Sequence, residues 1–233
     1  MTVAEILAEL SSKRDEKALA GMARFGIRTD KAYGWSVPEV RKFAKGVVRE
    51  LGRSDPERHA YALELWKTGI HEAQLLACFV DSSDMVTEEQ AEAWVAELDS
   101  WDICDQLCNA LLGETPFAWS KAVEWSGREE EFVKRAGFAL MAVLAWHAKD
   151  APDQQFEPFL IAIERQSGDE RNYVKKAVNW ALRNIGKRNV ALNGKSIESA
   201  RRIAAAGTRA GRWVASDALR EIQGEAVRRR LGI

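Results

Sequence analysis

Apolar residues along this chain recur at helical spacing, and no stretch alternates convincingly at period two. The pattern predicts helices throughout and no sheet. Val3, Ile6, Leu7 and Leu10 mark a first helix over 3–12, and a second is expected over 15–24. Phe25 to Tyr33 carries mixed signals between the breakers Gly26 and Gly34. Pro38 suits the first turn of the next helix, which buries Val40, Phe43, Ala44, Val47 and Val48. Ser54 caps another, with Pro56 in its first turn and Gly69 at its end. Further helices are expected from His71 to Val80 and from Thr87 to Leu98, where Thr87 and Gln90 form a capping box.

Ser100 to Cys108 reads as the start of the next helix, with Asp99 or Ser100 as its N-cap. Beyond Gly113 and Pro116, helices are predicted over Phe117–Trp125, Glu129–His147 and from Pro152 to Arg165. Ser167-Gly168-Asp169 caps another over Glu170–Lys187, and two or three more fill Asn193 to Leu231. Connections are short, so one domain, 1–233, is expected.

The chain also repeats itself. Phe132-Val133-Lys134-Arg135-Ala136 recurs as Tyr173-Val174-Lys175-Lys176-Ala177, a period of 41, and Trp213-Val214 follows 40 later. Helix pairs at about this period are the signature of a HEAT-like or armadillo-like α-α superhelix. The expected fold is therefore an all-α, HEAT-like helical repeat solenoid. Lys134/Arg135 and Lys175/Lys176 stand at matching positions, which is how such a fold lines a concave groove with positive charge.

Charge sharpens this picture. The net charge is only −1, but residues 1–130 hold 15 Lys+Arg against 24 Asp+Glu, and residues 131–233 hold 19 against 11. A basic C-terminal half is where a polyanion would be held, although solvated helix charges would give the same composition. The longest apolar run, Phe138 to Trp146, is too short to span a bilayer, and no signal peptide is evident, so a cytoplasmic location is expected. Three cysteines argue against a disulfide framework; Cys104 and Cys108, four apart, read better as buried thiols than as zinc ligands. Neither metal nor cofactor is called for.

The candidate chemistry centres on Trp101 and Asp105, four apart and so on one helix face. Asp102 is turned about 100° away and is expected to favour the helix N-terminus electrostatically. Alone, Trp101 and Asp105 fit a packed indole and a solvated acid. Their company alters that reading. Gly34-Trp35-Ser36-Val37-Pro38-Glu39-Val40-Arg41-Lys42-Phe43-Ala44-Lys45, His71-Glu72, Ser100-Trp101-Asp102-Ile103-Cys104-Asp105, Val133-Lys134-Arg135-Ala136 and Lys175-Lys176-Ala177-Val178-Asn179-Trp180-Ala181-Leu182-Arg183 occur in one order. In that order the chain resembles the AlkD-like DNA alkylation repair glycosylases, from about residue 30 to 190. The segment after Asn189 is less familiar and looks like an added repeat.

The resemblance implies a glycosylase that hydrolyses the N-glycosidic bond of N3- or N7-alkylated purines in duplex DNA without flipping the lesion into a pocket. Asp105 would be the catalytic carboxylate, Trp101 and Trp180 aromatic walls beside it, and Arg135 a hold on the DNA backbone. These residue types suit the chemistry. A carboxylate stabilises the oxocarbenium character that develops on the sugar, a contact that typically contributes roughly 3 kcal/mol. Indole faces near a cationic lesion add about 0.5–2 kcal/mol. Phosphate-binding candidates are Lys134, Arg135, Lys175, Lys176, Arg183, Lys187 and Arg212. Double-stranded DNA carrying alkylated bases is thus the expected partner, bound by a monomer with no membrane association. Two rivals remain: a DNA-binding relative without turnover, and a HEAT-like scaffold for protein partners. Among the other tryptophans, Trp66, Trp94, Trp125 and Trp146 are expected in helix–helix cores.

Overall fold

The computed structural model describes residues 1–52 and 54–233, which are all-helical, with no strand among the described residues. Its helices form two compact units, residues 1–115 and 116–233.

In the first unit, α1 (Val3–Ser12) and α2 (Glu16–Arg24) precede α3 (Val37–Leu51), α4 (Asp55–Lys67), α5 (His71–Val80), α6 (Glu88–Ala96) and α7 (Trp101–Ala110). The helix α5 packs against α3, α4 and α7, and α3 also touches α4. Trp66 of α4 stacks on Trp94 of α6 with ring centroids 4.1 Å apart and 3° between planes. Both indoles are buried, as the helical period predicts. Thr87 accepts from the backbone N–H of Gln90 at 3.2 Å, but the expected capping box does not close. The Gln90 amide donates instead to Asp81 at 2.9 Å. A buried carboxylate needs donors, and Gln90 is within its reach.

The second unit contains α8 (Ala118–Ser126), α9 (Glu131–His147), α10 (Glu157–Gln166), α11 (Asn172–Gly186), α12 (Val190–Ala205), α13 (Arg209–Ile222) and α14 (Glu225–Leu231). One layer runs α9–α11–α13 and the other α8–α10–α12, and the pairs α8/α9, α10/α11 and α12/α13 are the stacked repeats. Phe132 stacks on Tyr173 at 5.5 Å, and the Lys175 ammonium sits 5.1 Å from the Trp213 ring. Residues one repeat apart in sequence thus meet in space, which explains the period of about 40. α9 is buried from Val133 to Ala145 and is the core of this unit.

Several predicted helix starts differ; α9 begins at Glu131, not Glu129, and α12 at Val190, not Asn193. α11 begins at Asn172 because Asp169 accepts from the Arg171 backbone N–H at 3.0 Å and holds Arg171 extended as N-cap. α10 is preceded by a 3₁₀ turn, Asp153–Phe156, set by Pro152. Trp125 is fully buried, whereas Trp146 is 60% exposed. The burial of α9 ends at Ala145, so its last two residues, Trp146 and His147, face solvent. The expectation of a core Trp146 is therefore wrong.

Close approach of α8 and α9 depends on Gly137. A Cβ there would lie 2.4 Å from the Ser126 backbone nitrogen and 2.9 Å from the Ala122 carbonyl oxygen. Backbone cannot swing aside as a side chain does. Gly137→Ala should lower the unfolding free energy in urea by about 2–3 kcal/mol. Gly46→Ala, in α3 with nothing within 4 Å of the added carbon, should raise it by about 0.5–1 kcal/mol. Equal effects of the two would contradict this packing.

Candidate functional site

Ser100 is the N-cap of α7, in extended backbone conformation, but its side chain makes no capping bond. Its hydroxyl donates to Asp102 Oδ1 at 2.5 Å, and the same oxygen accepts from the Ile103 N–H at 3.0 Å. The other oxygen of Asp102 meets His71 Nε2 at 2.9 Å. Both partners of this His–Asp pair are buried. Burial alone would push the imidazole of His71 down, but the hydrogen bond and charge of Asp102 outweigh it and hold His71 above its ordinary value. Burial would likewise raise Asp102, yet His71, Ser100 and the Ile103 amide hold it below the usual carboxylate range. Asp102 is therefore more than a charge at a helix N-terminus: it docks α7 onto α5.

The neighbouring Glu72 has the same kind of task. Its fully buried carboxylate accepts from the backbone N–H groups of Tyr33, Gly34 and Trp35 at 2.7–3.2 Å. The backbone N–H of His71 donates to the Lys31 carbonyl at 2.9 Å. His71 and Glu72 together fix the 31–35 loop and the start of α7. Sequence reasoning missed both roles, because their partners lie roughly 30–40 residues away. The one available sign was two ionisable residues in the first turn of an otherwise apolar helix.

On the frame so fixed, Trp101 is half-buried, and its indole N–H donates to the Phe25 carbonyl at 3.0 Å. One turn on, Asp105 is also half-buried. Next to it, Gln106 accepts from Arg41 at 2.6 Å, and the Arg41 guanidinium lies 4.4 Å from the Phe79 ring. α7 thus presents one acid locked inside the protein and one at its boundary with solvent.

In the second unit the seven cationic candidates divide. Lys134 is buried, 3.5 Å from Asp169 and donating to Gln166 at 3.2 Å. Arg135 is buried as well and donates to the Tyr173 carbonyl at 2.7 Å, tying α9 to α11. Arg183 pairs with Glu221 and lies 4.0 Å from Asp217, and Lys187 meets Glu221 at 2.7 Å. The acids Asp217 and Glu221 sit about one repeat beyond their cations, so the repeat register held the signal that could have found them. Lys176 is exposed, Lys175 is half-buried over the Trp213 ring, and the exposed Arg212 donates to the Gly207 carbonyl. Lys175 and Lys176 belong to the first turns of α11 and Arg212 to the first turn of α13, whereas Lys187 is at the opposite end of α11. Trp180, in the middle of α11, is half-buried. The three cysteines are buried, and no cluster of three potential metal ligands occurs among the described residues. No helix among the described residues is long and apolar enough to cross a membrane.

The model of a family described as "DNA alkylation repair enzyme" matches residues 6–222. No curated protein matches the chain. A solved structure with a TM-score of 0.77 and 18% sequence identity covers 100% of this chain and 97% of its own. It is described as belonging to "a new family of proteins related to the HEAT-like repeat DNA glycosylases with affinity for branched DNA structures". The all-α, HEAT-like repeat fold expected from the sequence is thus the fold the chain adopts.

The His71–Asp102 pair gives stability a defined pH dependence. The raised imidazole contributes fully below about pH 6.5, its ordinary value, and the contribution is lost as pH rises through the higher folded value. The lowered carboxyl contributes fully above about pH 4 and is lost as pH falls through its folded value. Urea midpoints should therefore decline above pH 6.5, and Asp102→Ala should cost about 3 kcal/mol near pH 6 and flatten that decline. A variant with the wild-type midpoint and slope would contradict the pairing.

Proposed function

The chain belongs to the DNA alkylation repair enzyme family, and we propose that it is a DNA glycosylase releasing N3- or N7-alkylated purines from duplex DNA. The observation that carries this reading is the placement of Asp105 in α7. Asp102 is buried against His71 and Ser100, and Asp105 is half-buried one turn beyond an indole held by Phe25.

A purine alkylated at N3 or N7 is cationic and leaves as a neutral base. When the C1′–N bond breaks, its electron pair goes to the base and the sugar acquires oxocarbenium character. The Asp105 carboxylate stabilises that positive charge and orients the water whose oxygen bonds to C1′, the water proton passing to solvent. Trp101 offers an aromatic face to a cationic lesion or its sugar, and Trp180 offers one to bound DNA. No amine nucleophile is assigned, so the product is an abasic site on an unbroken strand. Lys175, Lys176 and Arg212, in the first turns of α11 and α13, are the phosphate contacts we favour. Lys134, Arg135, Arg183 and Lys187 act chiefly by holding the repeats together.

DNA binding without turnover is the second reading, favoured by the likeness of fold to a protein described as having affinity for branched DNA.

Release of methylated purine from alkylated duplex DNA separates the two. Asp105→Asn should lower single-turnover release by roughly a hundredfold to a thousandfold, with unfolding midpoint and DNA affinity kept. No release by the wild-type protein, with affinity for DNA intact, would select the second reading. Lys176→Ala should weaken duplex binding and reduce the slope of log affinity against log salt by about one. An unchanged slope would remove Lys176 from the interface.

A further inference from the structure

The C-terminal ends of α9 and α11 form a second cationic site, distinct from the first-turn lysines of α11. A cavity of about 490 Å³ is lined there by Trp146, Lys149, Asn184, Lys187, Arg188 and Arg230, with no carboxylate in its lining. Lys176 and Lys187 are eleven residues apart on one helix, so about 16 Å of helix axis separates the two cationic regions.

Charge at this end exceeds what the helices require. Arg188 donates to the carbonyls of Ala145, Lys149 and Ala151 at 2.9–3.3 Å, and Arg230 donates to the Lys187 carbonyl. Each helix C-terminus carries the equivalent of about half a negative charge. Two such ends, with Glu221 on Lys187, offset about two of the four cations. With Asp153, whose charge also acts on Arg188, about one positive charge remains. Burial lowers the Arg188 guanidinium below its ordinary value, outweighing the opposing charge of Asp153. That acid is bonded to the Asn189 amide at 2.8 Å.

Trp146 supplies the second element. It is 60% exposed at the end of α9, just past the buried stretch Val133–Ala145, and the Lys149 ammonium stands 5.8 Å from its ring. An indole left in solvent beside surplus positive charge is the pairing that holds a nucleic-acid strand: stacking on the ring, phosphodiester on the charges. We propose that this cavity binds an unpaired stretch of DNA strand, one base stacked on Trp146 and the adjoining phosphates held by Lys149, Arg188 and Arg230. A duplex keeps its bases stacked inside and has none to offer Trp146. The site therefore discriminates for unpaired DNA, and it requires no turnover at Asp105.

Fluorescence anisotropy of a labelled oligothymidine tests this with the full chain, and because the probe holds no purine, the outcome is independent of any excision activity. Trp146, Lys149 and Arg230 are exposed, so their replacement leaves the core intact. Trp146→Ala should weaken oligothymidine binding about tenfold and unmodified duplex binding less than twofold. Lys149→Ala with Arg230→Ala should lower the salt slope for oligothymidine by about one to two. The proposal is overturned if the wild-type protein does not bind the probe, or if Trp146→Ala binds it within twofold of wild type. Equal losses for duplex and oligothymidine, tighter binding of oligouridine, or displacement by millimolar inorganic phosphate would overturn it too.

Discussion

A charge enclosed between stacked helices must find a partner there, and this requirement organises the whole molecule. Desolvating an ion costs several kcal/mol unless opposite charge and hydrogen bonds compensate. Asp102 meets that demand with His71 and Ser100, Glu72 with three backbone N–H groups, and Lys134 with Asp169 and Gln166. Each solution joins one helix to the next element in the stack. The same requirement sorts the ionisable residues, since whatever is used between helices is withdrawn from the surface. Among the candidate residues, Asp105 and Lys175 are half-buried, and Lys176 and Arg212 are exposed.

The candidate site follows from that sorting. In α7, successive acids at 102 and 105 point in different directions because a helix turns about 100° per residue. One direction leads into the α5 interface, the other to the boundary. The indole of Trp101, one turn before Asp105, is held by its own hydrogen bond to Phe25, so the catalytic geometry we propose rests on a rigid base. Preorganisation of this kind is what an electrostatic mechanism needs, because a carboxylate that had to reorient during the reaction would lose most of its effect.

Much of this was legible from residue order. Helical spacing gave the elements, and the recurrence of Phe132–Ala136 as Tyr173–Ala177 gave the stacking that the rings of Phe132 and Tyr173 realise. What could not be read were partnerships across long separations outside the repeat register: His71 with Asp102 and Glu72 with the 33–35 backbone. A lysine or arginine in a motif looks the same whether it reaches a phosphate or a neighbouring acid, so Lys134 and Arg135 read as surface cations although both are buried. Trp146 fails in the opposite sense. An indole at the end of an apolar run reads as core, and only the position at which the neighbouring packing stops reveals that it is exposed.

The central claim is that Asp105, and not its buried neighbour, faces the reacting sugar. The most direct measurement is a crystal structure of the protein with duplex DNA bearing a cationic, ring-nitrogen analogue of the deoxyribose at an abasic position. The account predicts the Asp105 carboxylate about 3–3.5 Å from the analogue's ring nitrogen, with Asp102 still on His71. An analogue bound out of reach of Asp105, or DNA lying across another face of the protein, would contradict it.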